Sequence, residues 1–176
     1  SCFPKDVQAL AKSSDDADYD FKILDAVMSV NEKQKTALLP KIKSHFKNNL
    51  KGKKIAVWGL AFKPDTDDIR EAPALYNINA VLKEGAVVSA FDPEAMNNVK
   101  NILGDKITFA ADHYDALKDA DALLICTEWP LFRTPDFDKM KKLMKANVIF
   151  DGRNLYDLSQ MSELDFHYTS IGRKNI

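Results

Sequence analysis

A doubly wound, Rossmann-like α/β domain with a parallel sheet, preceded by a long helical segment, is the fold class this sequence predicts. Three observations carry that expectation. The period of the apolar residues changes near residue 50, from helical spacing before it to short runs after it. The runs at 55–58, 87–91, 122–126 and 148–150 are apolar almost throughout instead of alternating, as strands of a parallel sheet covered on both faces are. Helical stretches separate those runs one by one, which is the order of a βαβ sheet and not of a hairpin sheet. The chain's 176 residues give room for one domain and an appended element. Residues 1–50 are expected to be a helical segment and 51–176 the α/β domain.

The elements follow in order. A short first helix begins near Pro4, with Val7, Leu10 and Ala11 at helical spacing, and Ser13-Ser14-Asp15-Asp16 reads as its break. From Asp18 an amphipathic stripe through Phe21, Leu24, Met28, Leu38, Ile42, Phe46 and Leu50 runs on. It spans about 30 residues, well beyond the mean helix of roughly 11 to 12. Pro40 should kink it or mark two consecutive helices. A helix of that length is either a strut joining domains or a dimer interface. Gly52, flanked by lysines, closes this half as a helix stop. Strand 55–58, helix 74–84 ended by Gly85, strand 87–91 and helix 94–103 come next. A short extended piece at 107–109, helix 113–119, strand 122–126, helix 137–144 and strand 148–150 follow, with 168–171 as a last strand.

Composition removes several functions. Twenty-five basic against 26 acidic side chains leave a formal charge of −1, without the basic excess of a nucleic-acid binder. No apolar run approaches the roughly 20 residues of a membrane helix. Two cysteines far apart make no disulfide framework, so free thiols in a reducing cytoplasm are expected. His45, His113 and His167 lack ligand spacing, so no metal site is expected. No signal peptide opens the chain, and it opens without methionine, as a piece of something longer would.

In a doubly wound sheet, ligands sit beyond the carboxyl ends of the strands, so the residues that follow each strand carry the function. After the first strand stands Gly59-Leu60-Ala61-Phe62-Lys63-Pro64, which has only the first glycine of a G-x-G-x-x-G dinucleotide loop. Asp92, after the second strand, stands where a ribose-binding acid would. The loop is nevertheless wrong for a standard dinucleotide site. Residues 62–73 hold two cations, Lys63 and Arg70, and four acids. They form either a solvated loop with internal salt bridges or a site where Lys63 and Arg70 meet phosphate oxygens. Asp151-Gly152-Arg153-Asn154 would turn Arg153 toward the same crevice, so an anionic ligand is expected. Glu128-Trp129 is either core edge or pocket wall.

Ser1-Cys2-Phe3-Pro4-Lys5-Asp6 is a second constellation. A cysteine just ahead of a helix, with Lys5 close by, is placed to favour the thiolate, and Asp6 one turn on could move a proton. Cys126, inside an apolar strand, reads as an inert core thiol.

Together these stretches resemble the UDP-glucose/GDP-mannose dehydrogenase family. Residues 1–6 are similar to the end of its catalytic-cysteine motif, and Trp58-Gly59-Leu60-Ala61-Phe62-Lys63-Pro64-Asp65-Thr66-Asp67-Asp68-Ile69-Arg70-Glu71 to the signature of its C-terminal domain. Thr127-Glu128-Trp129 with Phe132, and Asp151-Gly152-Arg153-Asn154, resemble it too. Phe62-Lys63 and Thr127-Glu128-Trp129 look more like the UDP-glucose 6-dehydrogenases than the enzymes for GDP-mannose or UDP-N-acetylmannosamine, which remain the alternatives. The resemblance implies oxidation of UDP-glucose to UDP-glucuronate by two hydride transfers to NAD through a cysteine thiohemiacetal and thioester. Cys2 would be the nucleophile and Asp6 its proton-transfer partner. Lys5 and Arg70 would reach NAD. Phe62, Lys63 and Arg153 would hold the UDP-sugar, and the long helix would form a homodimer. On this resemblance the N-terminal NAD-binding domain and part of the central helical region are missing. The chain would be inactive alone, with NAD held mainly by the absent domain. A non-catalytic nucleotide-binding module is the reading of a different class. An NAD-binding domain proper is disfavoured by the loop at Gly59.

Overall fold

The computed structural model describes residues 2–176, with Cys2, Phe3 and Pro4 described in their backbone alone. It divides into two compact units, one ending at Ala37 and one running from Leu38 to Ile176.

The first unit is helical. Helix α1 (Cys2–Asp16) and helix α2 (Lys22–Lys35) pack on each other. Contrary to expectation, α1 continues through Ser13-Ser14-Asp15-Asp16. The Ser14 hydroxyl donates back to the Ala11 carbonyl at 2.7 Å, a bond available to serine within a helix. The chain turns instead at Asp18, whose φ is 52°.

The second unit begins with helix α3 (Leu39–His45). The expected long stripe is therefore two helices, α2 and α3, with Pro40 in the first turn of the second. Proline has no N–H to donate and crowds the carbonyl four residues back, so the α2 ladder stops before it. Then come β1 (Lys54–Trp58), α4 (Pro73–Lys83), β2 (Val87–Phe91), α5 (Met96–Leu103), β3 (Thr108–Phe109) and α6 (His113–Leu117). The remainder is β4 (Ala122–Ile125), α7 (Pro130–Arg133), α8 (Phe137–Leu143), β5 (Val148–Asp151), α9 (Leu158–Glu163) and β6 (His167–Ser170). The six strands form one sheet in the order β3-β2-β1-β4-β5-β6. All pairings are parallel, as the unbroken apolar runs predict. The order reverses between β1 and β4, the topological switch point of a doubly wound sheet.

The interiors of the central strands are sealed by the helices on both faces. Ile55, Ala56, Val57 and Trp58 of β1 are fully buried, as are Leu123, Leu124 and Ile125 of β4. Trp58 stacks on Phe132 of α7 at 4.9 Å between ring centroids and donates its indole N–H to the His113 carbonyl at 2.7 Å. Local chemistry starts the helices. Pro73 and Pro130 open α4 and α7 where no N–H is needed. The Asp112, Asp136 and Asp157 carboxylates cap α6, α8 and α9. Helix α3 is tied to β5 and β6 by the His45 ring, 5.7 Å from Phe150 and 4.5 Å from His167. The Lys41 ammonium adds a bond to the Ser170 carbonyl at 2.6 Å.

Candidate functional site at the carboxyl ends of the strands

Beyond β1 the chain leaves the sheet through Gly59, whose N–H still donates to Phe91 O at 2.9 Å. Its φ is +87°, and a Cβ there would stand 2.4 Å from Thr127 Cβ, so no other residue fits. Glycine lets the β1 and β4 ends touch. The Thr127 hydroxyl then donates to Ala61 O at 2.6 Å.

Asp92, at the end of β2, is buried beneath this contact. Its Oδ2 accepts from Leu60 N at 2.6 Å, Ala61 N at 3.0 Å and Trp129 Nε1 at 3.0 Å. Its Oδ1 accepts from Glu94 N at 2.9 Å and Ala95 N at 2.8 Å. A carboxylate offers about four lone-pair positions, so these donors saturate it. Asp92 therefore has no capacity left for ribose hydroxyls. The residues present do not fit a standard dinucleotide at this crevice, in agreement with the missing glycines.

The charged loop after β1 is closed on itself. Phe62 N donates to Asp68 O at 2.8 Å, and Asp68 N to Thr66 Oγ1 at 3.1 Å. Arg70 meets the Asp68 carboxylate side-on, Nε to Oδ1 at 2.9 Å and Nη2 to Oδ2 at 2.8 Å. These bonds hold the Asp68 carboxyl well below the usual carboxylate range. Asn98 Nδ2 reaches Asp67 O at 3.0 Å, and Tyr76 OH donates to Glu71 at 3.1 Å. Arg70 thus faces its own loop. Lys63 is exposed and makes no hydrogen bond or ion pair among the described residues, while Phe62 is half-buried.

Asp151, at the end of β5, repeats the part played by Asp92. It is buried, and it accepts from Arg153 N, Leu155 N and Tyr168 OH, each at 2.7 Å. Burial and the Asp151 charge push the Tyr168 phenol up, so it stays a donor. Gly152 runs against the β4 end: an added Cβ would stand 2.9 Å from Ile125 O. The Arg153 guanidinium then pairs with the Glu128 carboxylate, Nη2 donating to Oε1 at 2.5 Å and Nε lying against Oε2, which accepts no hydrogen bond among the described residues. The tripeptide Thr127-Glu128-Trp129 therefore binds three neighbours: Thr127 the β1 exit, Glu128 the β5 exit and Trp129 the β2 exit. Next to it Cys126 is buried, its thiol pushed up to about 12 by desolvation, so it is inert as expected.

Phe62, Lys63, Arg70 and Arg153 all belong to the second unit and follow β1 and β5 at their carboxyl ends. Lys5 and Asp6 lie exposed on α1 of the first unit, and the side chain of Cys2 lies outside the described residues. No cluster of three or more His, Cys, Asp or Glu residues that could hold a metal exists among the described residues. No helix among them is long and apolar enough to cross a membrane. Sequence reasoning left Glu128 undecided and missed Asp151 as an organiser. The available signal was an acidic residue at or just after the end of an apolar strand.

A six-stranded parallel sheet that reverses its order between β1 and β4, with charged loops following β1 and β5, is a Rossmann-like α/β domain. Residues 56–158 match the UDP-glucose/GDP-mannose dehydrogenase family, UDP binding domain, and the chain belongs to that family. It is 44% identical over 178 residues to a UDP-glucose 6-dehydrogenase of Pseudomonas aeruginosa, covering 98% of this chain and 39% of that protein. It is 44% identical over 173 residues to the UDP-glucose 6-dehydrogenase TuaD of Bacillus subtilis, covering 98% of this chain and 37% of that one. The chain thus spans well under half the length of these relatives. Among solved structures, a UDP-glucose dehydrogenase of Pyrobaculum islandicum superposes with a TM-score of 0.81 at 31% identity, over 96% of this chain and 36% of that one.

Proposed function

We propose that this chain is the C-terminal part of a UDP-glucose 6-dehydrogenase and supplies its UDP-sugar contacts and its nucleophilic cysteine. In this reading residues 1–50 belong to the central, dimer-forming helical region and 51–176 to the UDP-binding domain. The observation that carries it is the pair of cations Lys63 and Arg153 beyond the carboxyl ends of the sheet, at a crevice where Asp92 is already saturated. Such a crevice suits a diphosphate held by side chains rather than a dinucleotide cradled by glycines.

Phe62, Lys63 and Arg153 would hold the UDP-sugar. Cys2 begins α1, where the helix dipole favours a thiolate. That thiolate would add to the C6 aldehyde as a thiohemiacetal, loss of hydride to NAD would leave a thioester, and water would release the acid from it, with Asp6 assisting proton transfer. NAD, the hydride acceptor of such a reaction, would lie mainly on parts of the enzyme outside these 176 residues, with Lys5 and Arg70 reaching it. A homodimer through the helical segment is part of the same proposal. Ile23 and Val30 on α2 are 69% and 66% exposed and share an apolar face with Ala26 and Val27, which a second copy would cover.

Calorimetric titration of the folded chain with UDP, UDP-glucose and NAD tests this. UDP and UDP-glucose should bind and NAD should not. Lys63→Ala and Arg153→Ala should each weaken UDP by about tenfold, the scale of one lost charge-assisted contact. The chain alone should not reduce NAD with UDP-glucose. A folded chain that binds NAD and not UDP would overturn the proposal.

A further inference from the structure

We propose that Glu128 is a positioning residue for nucleotide-diphosphate binding, acting through Arg153. The inference rests on the reading of Arg153 as a UDP-sugar contact and extends it to a residue to which that reading gives no role. Its basis is geometric. Glu128 engages Arg153 through Nε and Nη2, the side of the guanidinium that would otherwise fit a phosphate bidentately. The Nη1 group makes no hydrogen bond among the described residues and is left to meet an incoming oxygen. The Arg153 backbone is fixed independently, its N–H on Asp151 at 2.7 Å. With backbone and one guanidinium edge both held, the remaining edge has a single direction.

Glu128 is itself held by its neighbours. Thr127 on one side donates to Ala61 O, and Trp129 on the other donates to Asp92. The side chains of Glu128 and Arg153 are 23% and 34% exposed, so the pair is only partly screened by water. The pair joins the exits of β4 and β5 across 25 residues of sequence. Arg70, by contrast, is held within its own loop.

The sign of the effect decides the matter. A carboxylate beside an anion site repels the anion, so removing its charge should by itself tighten binding. If Glu128 works by orienting Arg153, its removal weakens binding despite that lost repulsion. Held side chains contribute affinity by avoiding the ordering cost on binding.

The experiment is a double-mutant cycle on the 176-residue chain, with UDP as the probe and wild type, Glu128→Gln, Arg153→Ala and the double variant titrated calorimetrically. Nitrogen-detected spectra of the arginine guanidinium groups accompany it. Glu128→Gln should weaken UDP by about three- to tenfold, the cost of re-ordering one long side chain. It should also abolish the exchange protection of the Arg153 Nη2 group, the one that donates to Glu128. In the Arg153→Ala background the same change should no longer weaken UDP and should leave its affinity unchanged or slightly tighter, because only the lost repulsion remains. Unchanged or tighter UDP binding by Glu128→Gln would overturn the inference while leaving the UDP-sugar reading intact. Equal weakening in both backgrounds would overturn it too, since that is the pattern of a general structural loss. No UDP binding by the folded wild-type chain would overturn the reading and this inference together.

Discussion

Two arginines at the mouth of the sheet each pair with a carboxylate, and they differ in almost everything else. Arg70 takes Asp68, two residues back in the same loop, and its side chain is 76% exposed. Arg153 takes Glu128 from the end of another strand, and its side chain is 34% exposed. The local pair shapes one loop and is open to solvent, where salt bridges contribute little. The distant pair closes a connection between two strand exits, so its loss is felt by both. Pairing alone therefore says little about importance; sequence separation and burial decide it.

The largest effect should come from removing the ground under both loops. Asp92 holds the first residues of the Arg70 loop through Leu60 and Ala61, and holds the residue beside Glu128 through Trp129. Asp92→Ala strands these buried donors and should cost about 3–5 kcal/mol in urea unfolding. Asp92→Asn, which keeps the shape and one acceptor, should recover part of that. If Asp92→Ala unfolds like wild type, the shared anchor does not exist.

Glu128→Ala comes next, at about 1–2 kcal/mol for a partly buried charged bond broken on one side. The loss should persist in 1 M salt if the pair is as shielded as its exposure indicates. A loss that vanishes in salt would place it with the Arg70 pair.

Acid acts on the sheet through its histidines. His45 and His167 pack ring to ring near the start of β6, and burial pushes both rings' pKa down, with the charges of His167 and Lys53 adding to the effect on His45. His113, under Trp58, is lowered by burial as well. A lowered histidine takes up its proton more readily unfolded than folded. Its contribution to stability is complete above the unfolded pKa of about 6.5 and is lost as pH falls through and below it. Tm should therefore drop between pH 7.5 and 5.5, and less so in His45→Phe. Asp68, held low by Arg70, stays ionised throughout that range. A flat Tm across it would mean that the rings protonate freely in the folded state.

The fold was largely legible because fully buried strands write themselves as apolar runs, as at 55–58 and 122–125. The short helices α7 and α9 escaped because four and six residues carry too little periodicity to register. The end of α1 was misplaced because Ser13 to Asp16 has the composition of a break, while Ser14 bonds back into the helix. At the site, Lys63, Arg70 and Arg153 were legible as cations after strands. Their partners were not. Whether Arg153 meets Glu128 or solvent depends on which strands are neighbours, and Asp92 looked like a ribose acid because its donors come from three separate segments.

The smallest effect sharpens the comparison most. Asp68→Asn removes the charge that holds Arg70 and frees the guanidinium from its loop. The pair is exposed, so the unfolding midpoint should stay within measurement error. UDP affinity should also stay unchanged, because the two arginines follow different strands and only Arg153 is tied to the β4 exit. A tighter UDP complex in Asp68→Asn would mean that a released Arg70 swings onto the diphosphate. The two arginines would then be two states of one anion clamp instead of a loop brace and a ligand contact.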